Sequence, residues 1–274
     1  MRILVTSEKD IASQTIKAVL LAEYGFGKTD EEFEDNPTFA LDDNLILITT
    51  ERDLIHTNHL EEYFEADAFI FCSRHQSKSG RPSLLVHSTG NLGPEAKYGG
   101  KPYRLSVSAA SLVRTAFKEL YNQRNSRNLD EFDVSLEVTH HGPTEMDTPM
   151  LFVELGSDEE YWHHEGGAQA VAAAVMRCAK EPIGDSAYIG FGGTHYASMF
   201  NKLVLTEGVA MGHMAPKYAM DDLTPEVVKL MAERSAEPID AAVIDWKGTN
   251  SSQRDTLFSI LEAQGIELLR ARDL

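Results

Sequence analysis

Short apolar runs of strand length alternate along this chain with longer runs of helical spacing, and this alternation limits the fold more than any other feature. The strand-like runs are residues 3–6, 45–49, 68–72, 84–88, 134–139, 151–155, 187–191 and 242–245. The helix-like runs are residues 10–23, 106–121, 159–178, 195–205, 225–234 and 252–264. Such alternation is typical of a sheet layered between helices. The sequence therefore predicts an α/β fold, a three-layer mixed sheet with helices on both faces.

The chain has 274 residues, enough for one large α/β domain. We expect a single domain over residues 1–274, with room for a small C-terminal subdomain from about residue 210. Residues 30–43 are acidic and rich in turn formers, which predicts a surface loop. Residues 90–101 hold four glycines and a proline, which favours a long functional loop or lid.

The sequence also limits where the protein works. No apolar run reaches the ~20 residues needed to cross a bilayer, and the first residues are typical of a core strand rather than of a signal peptide. Cys72 and Cys178 are the two cysteines and lie far apart, which predicts a reducing compartment without a disulfide framework. We therefore expect a cytoplasmic monomer with no membrane partner.

Residues 137–165 are the most chemically distinctive part of the chain. They hold four histidines and eight carboxylates, with no lysine or arginine among them. Imidazole and carboxylate groups without competing cations suit a divalent metal and general acid–base chemistry. These residues follow a predicted strand beside a Gly142-Pro143 break, and α/β proteins bind ligands at such strand ends. The segment is therefore our first candidate site.

The pair His140-His141 ends the strand predicted at 134–139. Alternation places Glu137 and His141 on one face of that strand and His140 on the other. One strand cannot aim both imidazoles at one ion unless Gly142-Pro143 turns the backbone. Two metals, or one ligand with a second histidine that orients it, would suit the spacing equally well. A turn with incidental histidines is the alternative.

A second candidate cluster follows the strand predicted at 187–191. There Gly192-Gly193 precede Thr194 and His195. Glycines let the backbone approach a ligand, and free N–H groups at a helix N-terminus can hold an anion or an oxyanion. Thr194 suits the N-cap of the next helix, and His195 would project into the crevice. The alternative is a tight packing contact without a ligand.

Two further histidines have both structural and functional interpretations. His213 ends a small apolar run, where a single histidine is structural unless a metal site built elsewhere needs a further ligand. His87 alternates with Leu85 in a predicted strand, so a core position and a proton-carrying role are both open.

Charge is distributed unevenly along the chain. The net charge is −18, yet residues 74–127 hold ten lysines and arginines against two glutamates. Local basic patches, rather than total charge, contact phosphates, although a solvated basic helix would have the same composition. The residues singled out for phosphate or ribose contact are Arg74, His75, Lys78, Asn91, Lys101 and Arg104. A P-loop, a dinucleotide fingerprint and a G-x-S-x-G serine elbow are all missing from the sequence.

Five segments together resemble one known family. They are HSTGN at 87–91, EVTHHGPT at 137–144, FVELGS at 152–157 with Trp162 after it, GFGGTHY at 190–196 and GHMAPKY at 212–218. Their joint pattern resembles the archaeal-type D-aminoacyl-tRNA deacylases, from the first strand to about residue 270. The resemblance implies hydrolysis of the ester between a D-amino acid and the tRNA 3′ end, which recycles mischarged tRNA. It also implies a zinc cofactor and an α/β fold akin to peptidyl-tRNA hydrolases and nucleoside phosphorylases.

The resemblance assigns roles to the candidate residues. Zinc could lower the pKa of a bound water to about 7, and a catalytic zinc keeps one position open beside three protein ligands. The hypothetical metal ligands are His140, His141, His195 and His213. The hypothetical catalytic groups are Glu137 or Glu154 as base, His195, and Thr194 with the Gly192-Gly193 amides around an oxyanion. The acceptor end of D-aminoacyl-tRNA is the expected partner, and it would explain a basic stretch in an acidic protein.

Other functions remain open from the sequence. A phosphorylase-like enzyme acting on a nucleoside would need a phosphate pocket, which Arg74 and Ser77 could help to build. A non-catalytic RNA-binding module with structural histidines would bind tRNA without turnover. A deacylase that activates water without a metal is also compatible with these residues.

Overall fold

The chain divides into two compact units in the computed structural model, which describes residues 1–274. The first unit comprises Met1–Val86, Thr115–Ser135 and Met150–Glu181, and the second comprises His87–Arg114, Leu136–Pro149 and Pro182–Leu274. Each unit is therefore assembled from segments that are distant in sequence. The residues after 210 belong to the second unit, and the expected domain organisation stays a prediction.

The strands are β1 (Arg2–Ser7), β2 (Gly27–Phe33), β3 (Asn36–Asp42), β4 (Leu45–Thr50), β5 (Ala68–Gln76), β6 (Ser83–His87), β7 (Gly90–Asn91), β8 (Arg104–Leu105), β9 (Asp133–Leu136), β10 (Met150–Ser157), β11 (Ala187–Phe191), β12 (Met211–Ala215), β13 (Ile239–Ile244) and β14 (Leu268–Arg270). The α-helices are α1 (Ile11–Glu23), α2 (Ala110–Ser126), α3 (Glu159–Trp162), α4 (Glu165–Lys180), α5 (Ser198–Thr206), α6 (Pro225–Glu233) and α7 (Ser251–Gln264). Short 3₁₀ helices cover Leu54–His56, Asn58–Glu62 and Lys217–Asp222.

An eight-stranded mixed sheet forms the centre of the first unit, in the order β2-β3-β4-β1-β5-β10-β6-β9. The pairs β1–β4, β1–β5 and β5–β10 are parallel, whereas β2–β3 and β3–β4 are antiparallel. The central strands are nearly continuous apolar runs because parallel strands are buried on both faces. Phe71 of β5 and Phe152 of β10 stack with ring centroids 4.6 Å apart. Helices α1 and α4 pack on each other and on β5.

A four-stranded, all-parallel sheet forms the centre of the second unit, in the order β12-β11-β13-β14. Its hydrophobic core joins β11 and β13 to α6 and α7 through residues such as Phe191, Ile244, Val228 and Leu257. Since all four strands run the same way, their carboxyl ends lie along one edge of the sheet. Chains leaving that edge are the usual place for a ligand site in an open α/β sheet.

The mixed α/β class predicted from the sequence is confirmed. The predicted loop at 30–43 is wrong, because these residues form most of the β2–β3 hairpin. Its strands are polar and largely exposed, so no apolar run in the sequence predicts them. The strand expected at 134–139 ends at Leu136, and the helix expected from 195 begins at Ser198. The likeness to peptidyl-tRNA hydrolases and nucleoside phosphorylases stays a prediction. None of the helices combines the length and the apolar character that crossing a membrane would require.

Candidate active site

Three histidines of the second unit have their rings in contact: His87 at the end of β6, and His140 and His141 in the turn after β9. Ring centroids lie 4.3 Å apart for His87–His140, 4.4 Å for His140–His141 and 4.8 Å for His87–His141. The backbone at His141 has a φ of 45°, and the Gly90 amide donates to the carbonyls of both His140 (3.2 Å) and His141 (2.9 Å). The turn therefore brings together two rings that a continuous strand would have placed on opposite faces.

Backbone carbonyls fix the protonated nitrogen of all three rings. Nδ1 of His140 lies 2.8 Å from the Val138 carbonyl, Nδ1 of His141 lies 2.7 Å from the Gly142 carbonyl, and Nδ1 of His87 lies 3.2 Å from the Ser88 carbonyl. A carbonyl oxygen only accepts, so each Nδ1 must carry the proton. In its neutral form, each ring then carries its lone pair on Nε2. Carbonyls orient histidine ligands in this way in metal sites.

His140 is held in its neutral form. Burial lowers its pKa well below the ordinary histidine value, and the neighbouring His87, His141 and His195 rings lower that pKa further. Neutral imidazole is the form that binds a divalent ion. His140 is therefore ready to act as a ligand at neutral pH.

A second group of side chains links Glu137, His195 and Tyr218. Nε2 of His195 lies 2.9 Å from Oε1 of Glu137, and its Nδ1 lies 3.0 Å from the Tyr218 hydroxyl. Glu137 is fully buried, whereas 32% of the His195 side chain is exposed. An ionised carboxylate only accepts, so Nε2 donates to Glu137 and Nδ1 accepts from the phenol. Burial and then the charge of Glu137 raise the pKa of the Tyr218 phenol, which keeps its proton on the oxygen.

The two groups share one neighbourhood of the second unit. The His140 and His195 ring centroids are 4.8 Å apart, and Nε2 of His87 lies 4.0 Å from Oε2 of Glu137. Two sets of ligand atoms lie within 4.8 Å of one another and could hold a metal: His87, His140 and His141, or Glu137, His140 and His195. The arrangement can therefore combine a divalent ion with a carboxylate–imidazole–phenol chain for proton transfer.

His213, a predicted ligand, is placed differently from the other three. It is fully buried in β12, with Nδ1 at 3.1 Å from the Thr139 hydroxyl. Its Nε2 lies 3.1 Å from the Ser106 carbonyl and 3.0 Å from the Arg234 carbonyl. Burial lowers its pKa to about 4. Both nitrogens are used in packing the strand, so this placement does not support a ligand role.

The structure corrects the expected oxyanion site near Thr194. The Gly192 amide donates to the Ala215 carbonyl at 2.8 Å, and the Gly193 amide donates to the Gly248 carbonyl at 3.0 Å. Neither N–H group remains for a substrate oxygen. Thr194 is exposed and is not an N-cap, since α5 begins at Ser198 after Ala197 in the left-handed region. A catalytic role for Thr194 stays a prediction.

Glu154, Arg74 and His75 belong to the first unit. Oε2 of Glu154 lies 3.5 Å from Nδ1 of His75, and both side chains are buried. The Arg74 guanidinium stacks 5.6 Å over the Trp162 ring and donates to the Lys9 carbonyl at 2.9 Å. Because the His75 side chain is buried, its placement does not support a contact between its ring and RNA. The base role of Glu154 and the RNA contact of Arg74 stay predictions.

The remaining predicted RNA-binding residues differ in exposure. Lys78, Lys101 and Arg104 are exposed, and Lys101 pairs with Glu145 at 2.7 Å. Asn91 is buried, and its Nδ2 donates to the Gly99 carbonyl at 2.9 Å and to the Lys101 carbonyl at 3.2 Å. Asn91 therefore holds the loop at 92–103 in place, and a ribose contact is not supported.

Two residues of the cluster were not among the predicted site residues. His87 was open to both a core and a functional role, and its fully buried ring is part of the histidine group. The sequence marks Tyr218 only as the last residue of the GHMAPKY segment. Its place just beyond β12 is no signal in the sequence, because that strand is not a predicted apolar run.

The fold and this cluster define a class: an α/β protein with a buried histidine–carboxylate site at the strand ends. Comparisons with known proteins point to one family. The family model for D-aminoacyl-tRNA deacylase matches residues 62–269. D-aminoacyl-tRNA deacylases of Thermococcus onnurineus (35% identity, 98% of this chain and 100% of the relative) and Archaeoglobus fulgidus (35%, 99% and 97%) are similar throughout. A crystal structure of a conserved protein of unknown function superimposes with a TM-score of 0.90 at 33% identity, over 99% of this chain and 95% of the other.

The chain therefore belongs to the D-aminoacyl-tRNA deacylase family. The predicted family resemblance is confirmed, and so is the prediction that the protein is an enzyme.

Proposed function

We propose that this protein hydrolyses the ester bond between a D-amino acid and the 3′-terminal ribose of tRNA, releasing free D-amino acid and tRNA. Family membership supports the reaction class. The observation that carries the proposal is the Glu137–His195–Tyr218 chain, which lies beside the rings of His87, His140 and His141. Ester hydrolysis needs a base for the attacking water and an acid for the leaving oxygen, and one histidine can serve as both.

His195 has the geometry for this proton transfer. Its Nε2–H donates to Glu137, so Nδ1 is the basic nitrogen, and the Tyr218 hydroxyl that donates to Nδ1 in the resting protein gives way to the attacking water. In the proposed reaction, the water oxygen forms a bond to the ester carbon while Nδ1 takes the water proton. The bond from that carbon to the ribose oxygen then breaks, and Nδ1–H returns the proton to the ribose. The buried Glu137 carboxylate stabilises the imidazolium that forms in between.

The histidine group suits a zinc ion as the cofactor. We assign His87, His140 and His141 as its protein ligands, since each has Nδ1 on a carbonyl and their ligand atoms lie within 4.8 Å of one another. Three neutral imidazoles with one position left for substrate is a known catalytic zinc site. A bound divalent ion would supply Lewis acidity for the developing negative charge. His195 is left for proton transfer and His213 for packing.

The reaction is tested with D-Tyr-tRNA and L-Tyr-tRNA as a matched pair. We expect ester loss from the D-substrate to exceed that from the L-substrate by at least an order of magnitude. Equal rates on both would contradict the chiral assignment, and no hydrolysis of either would contradict the reaction itself. Dialysis against a chelator should abolish activity, and zinc should restore it. Undiminished activity after rigorous chelation would contradict the metal assignment alone.

Metal content provides a measurement that is independent of turnover. His141→Ala should lose bound zinc, because one of three ligands is removed. His163→Ala is the matched control, since His163 is exposed and lies outside this cluster. Elemental analysis of both variants after dialysis checks the assignment, and zinc retained by His141→Ala would contradict it.

A further inference from the structure

Exposed tyrosines gather around His195 in the second unit. The exposed fractions are 72% for Tyr98, 41% for Tyr196 and 64% for Tyr218. The Tyr196 ring lies edge-on to the His195 ring with centroids 5.3 Å apart, and the Tyr98 carbonyl accepts from the Gly142 amide of the histidine turn at 3.0 Å. Single exposed aromatic side chains are ordinary, but three beside one group of histidines indicate a surface that contacts a ligand.

Tyr218 makes the closest contact of the three with the catalytic imidazole. Its hydroxyl lies 3.0 Å from Nδ1 of His195. The hydroxyl is occupied by this contact, so the exposed surface of the residue is mainly that of the ring. With 64% of the residue exposed, at least one face of the ring is open to solvent. The ring is therefore available to a ligand directly beside the base.

The backbone at Tyr218 is fixed, so only its side chain is free to move. The preceding Lys217 amide donates to the Gly193 carbonyl at 2.9 Å, and the Lys217 carbonyl accepts from Nε2 of Gln253 at 3.2 Å. Both residues lie in the 3₁₀ helix Lys217–Asp222, which packs Met220 into the core. Rotation of the side chain is the motion that takes the hydroxyl away from His195, and the ring stays beside the site.

The Tyr218 hydroxyl occupies the nitrogen that the proposed reaction uses. Nδ1 of a neutral imidazole has one lone pair, so it accepts either from the phenol or from the attacking water, but not from both. The hydroxyl must therefore leave before the water is activated. A ligand that binds the open ring face can drive this movement, because stacking of a base on an aromatic ring is stronger than the net contribution of one neutral hydrogen bond.

The charges around Tyr218 favour an uncharged ligand. Lys217 is exposed, and so are Asp221 and Asp222 of the same 3₁₀ helix. Two carboxylates beside one ammonium group disfavour a phosphate and leave the stacking of a neutral base unaffected. D-aminoacyl-tRNAs differ in their amino-acid side chains, but all of them end in the same adenosine. One fixed ring therefore suits the adenine better than the side chain.

We propose that Tyr218 positions the substrate: the terminal adenine of tRNA stacks on its ring, and this stacking moves the phenol hydroxyl off Nδ1 of His195. The inference rests on the proposed function and names the residue that binds the constant part of its substrate. His195 is then free to activate water only when an adenosine is in place. Tyr218 is a positioning residue and exchanges no proton with the substrate.

Tyr218→Phe and Tyr218→Ala form a matched pair, because both lose the hydroxyl and only the second loses the ring. Tyr121→Ala, at an exposed tyrosine of α2 in the first unit, is the control and should match the unchanged protein. We expect KM for D-Tyr-tRNA to be about tenfold higher in Tyr218→Ala than in Tyr218→Phe, the effect of one stacked base, with kcat changed less than KM. Equal KM values in the two Tyr218 variants would overturn the stacking.

D-tyrosine ethyl ester tests the movement of the hydroxyl, because it has the same acyl group but no adenine. In the unchanged protein this ester has no base with which to displace the phenol. We expect kcat/KM for it to rise about fivefold in Tyr218→Phe, the effect of one neutral hydrogen bond. No rise would overturn the coupling between stacking and the hydroxyl.

Binding of adenosine gives a test that is independent of turnover. Saturation-transfer NMR detects contact between the adenine protons and the protein. We expect the affinity for adenosine to be about tenfold weaker in Tyr218→Ala than in Tyr218→Phe. Equal affinities, or no transfer in the unchanged protein, would overturn the proposal, and so would a loss in Tyr218→Ala confined to free D-tyrosine. If the unchanged protein leaves D-Tyr-tRNA intact, the proposed function fails, and this titration still decides the adenine site.

Discussion

Glu137 and His195 act as one unit at the scale of single residues. The carboxylate accepts from Nε2 at 2.9 Å and so decides which nitrogen of the ring is basic. Glu137 is fully buried, so solvent cannot take over its part, and the Tyr218 hydroxyl at 3.0 Å holds only the other nitrogen of the ring. Removal of either member should therefore disable the same step.

This dependence gives a prediction for a double-mutant cycle. Glu137→Gln keeps the size of the side chain but lets the ring adopt the wrong tautomer, and His195→Ala removes the base. We expect kcat on D-Tyr-tRNA to fall by about 10²–10⁴ in each single variant. The double variant should be no slower than His195→Ala, since groups that act as a unit are strongly non-additive.

Single-turnover rates at saturating enzyme are the measurement. Circular dichroism of each variant checks that the fold is retained. Losses that multiply in the double variant would show that the two residues act independently, which contradicts the proposed chain.

Residue types alone indicate part of the site. The sequence predicts Glu137, His140, His141 and His195 as site residues, and they do lie together. His213 is also an imidazole, but both its nitrogens are hydrogen-bonded, to the Thr139 hydroxyl and the Arg234 carbonyl. These contacts cannot be predicted from the residue type alone. The prediction that the Gly192 and Gly193 amides hold an oxyanion is wrong because both amides donate to backbone carbonyls of other segments. Hydrogen-bond partners come from elements that are distant in sequence.

At the scale of elements, two loops at the carboxyl edge of the parallel sheet are packed backbone to backbone. A Cβ atom on Gly248 would lie 2.3 Å from the Gly193 nitrogen and 2.6 Å from its Cα. The loop after β13 can therefore approach the loop after β11 only because Gly248 has no side chain. His195 lies two residues beyond Gly193, so this contact positions the catalytic loop.

Gly248→Ala should separate the two loops. We expect about 1–3 kcal/mol of lost stability, the usual cost of overpacking, together with a fall in kcat that exceeds the change in stability. Gly27→Ala in β2 is the matched control, because nothing lies within 4 Å of its added Cβ. Chemical denaturation and the deacylation rate below the transition check both expectations. A variant with full activity would show that the loop contact does not position His195.

Some secondary-structure elements are easier to predict from the sequence than others. Buried parallel strands such as β1, β5 and β11 are predictable because they are continuous apolar runs. The β2–β3 hairpin was missed because its strands are polar and mostly exposed, and its pairing depends on β4 beside it. β12 was missed because Gly212 and His213 interrupt its apolar pattern, although all five of its residues are buried.

For the whole molecule, two buried groups oppose each other in their effect on stability as pH changes. Burial raises the pKa of the Asp10 carboxyl from 3.8 to about 6, and burial lowers the pKa of His213 from 6.5 to about 4. Asp10 binds its proton more tightly when the chain is folded. Its contribution to folded-state stability is therefore complete below about pH 4 and is lost as pH rises through 6. His213 binds its proton less tightly when folded, so its contribution is full above 6.5 and is lost as pH falls to 4.

These two contributions are each about 3 kcal/mol, since one pKa unit corresponds to about 1.4 kcal/mol. Their windows overlap and their signs are opposite, so between pH 4 and 6.5 they nearly cancel. Asp10→Asn should remove the Asp10 contribution to stability and leave that of His213. Asparagine keeps the N-cap of α1, where Oδ1 of Asp10 accepts from the Ser13 amide at 2.9 Å.

We therefore expect the free energy of unfolding of Asp10→Asn to fall by about 3 kcal/mol more than that of the unchanged protein when pH is lowered from 6.5 to 4. Thermal unfolding at closely spaced pH values across this window measures the difference. Asp43→Asn, at an exposed carboxyl, is the control and should follow the unchanged protein. A parallel pair of curves for Asp10→Asn and the unchanged protein would mean that Asp10 is ionised in the folded chain throughout the window. In that case His213 alone of the two buried groups would link stability to pH across the window.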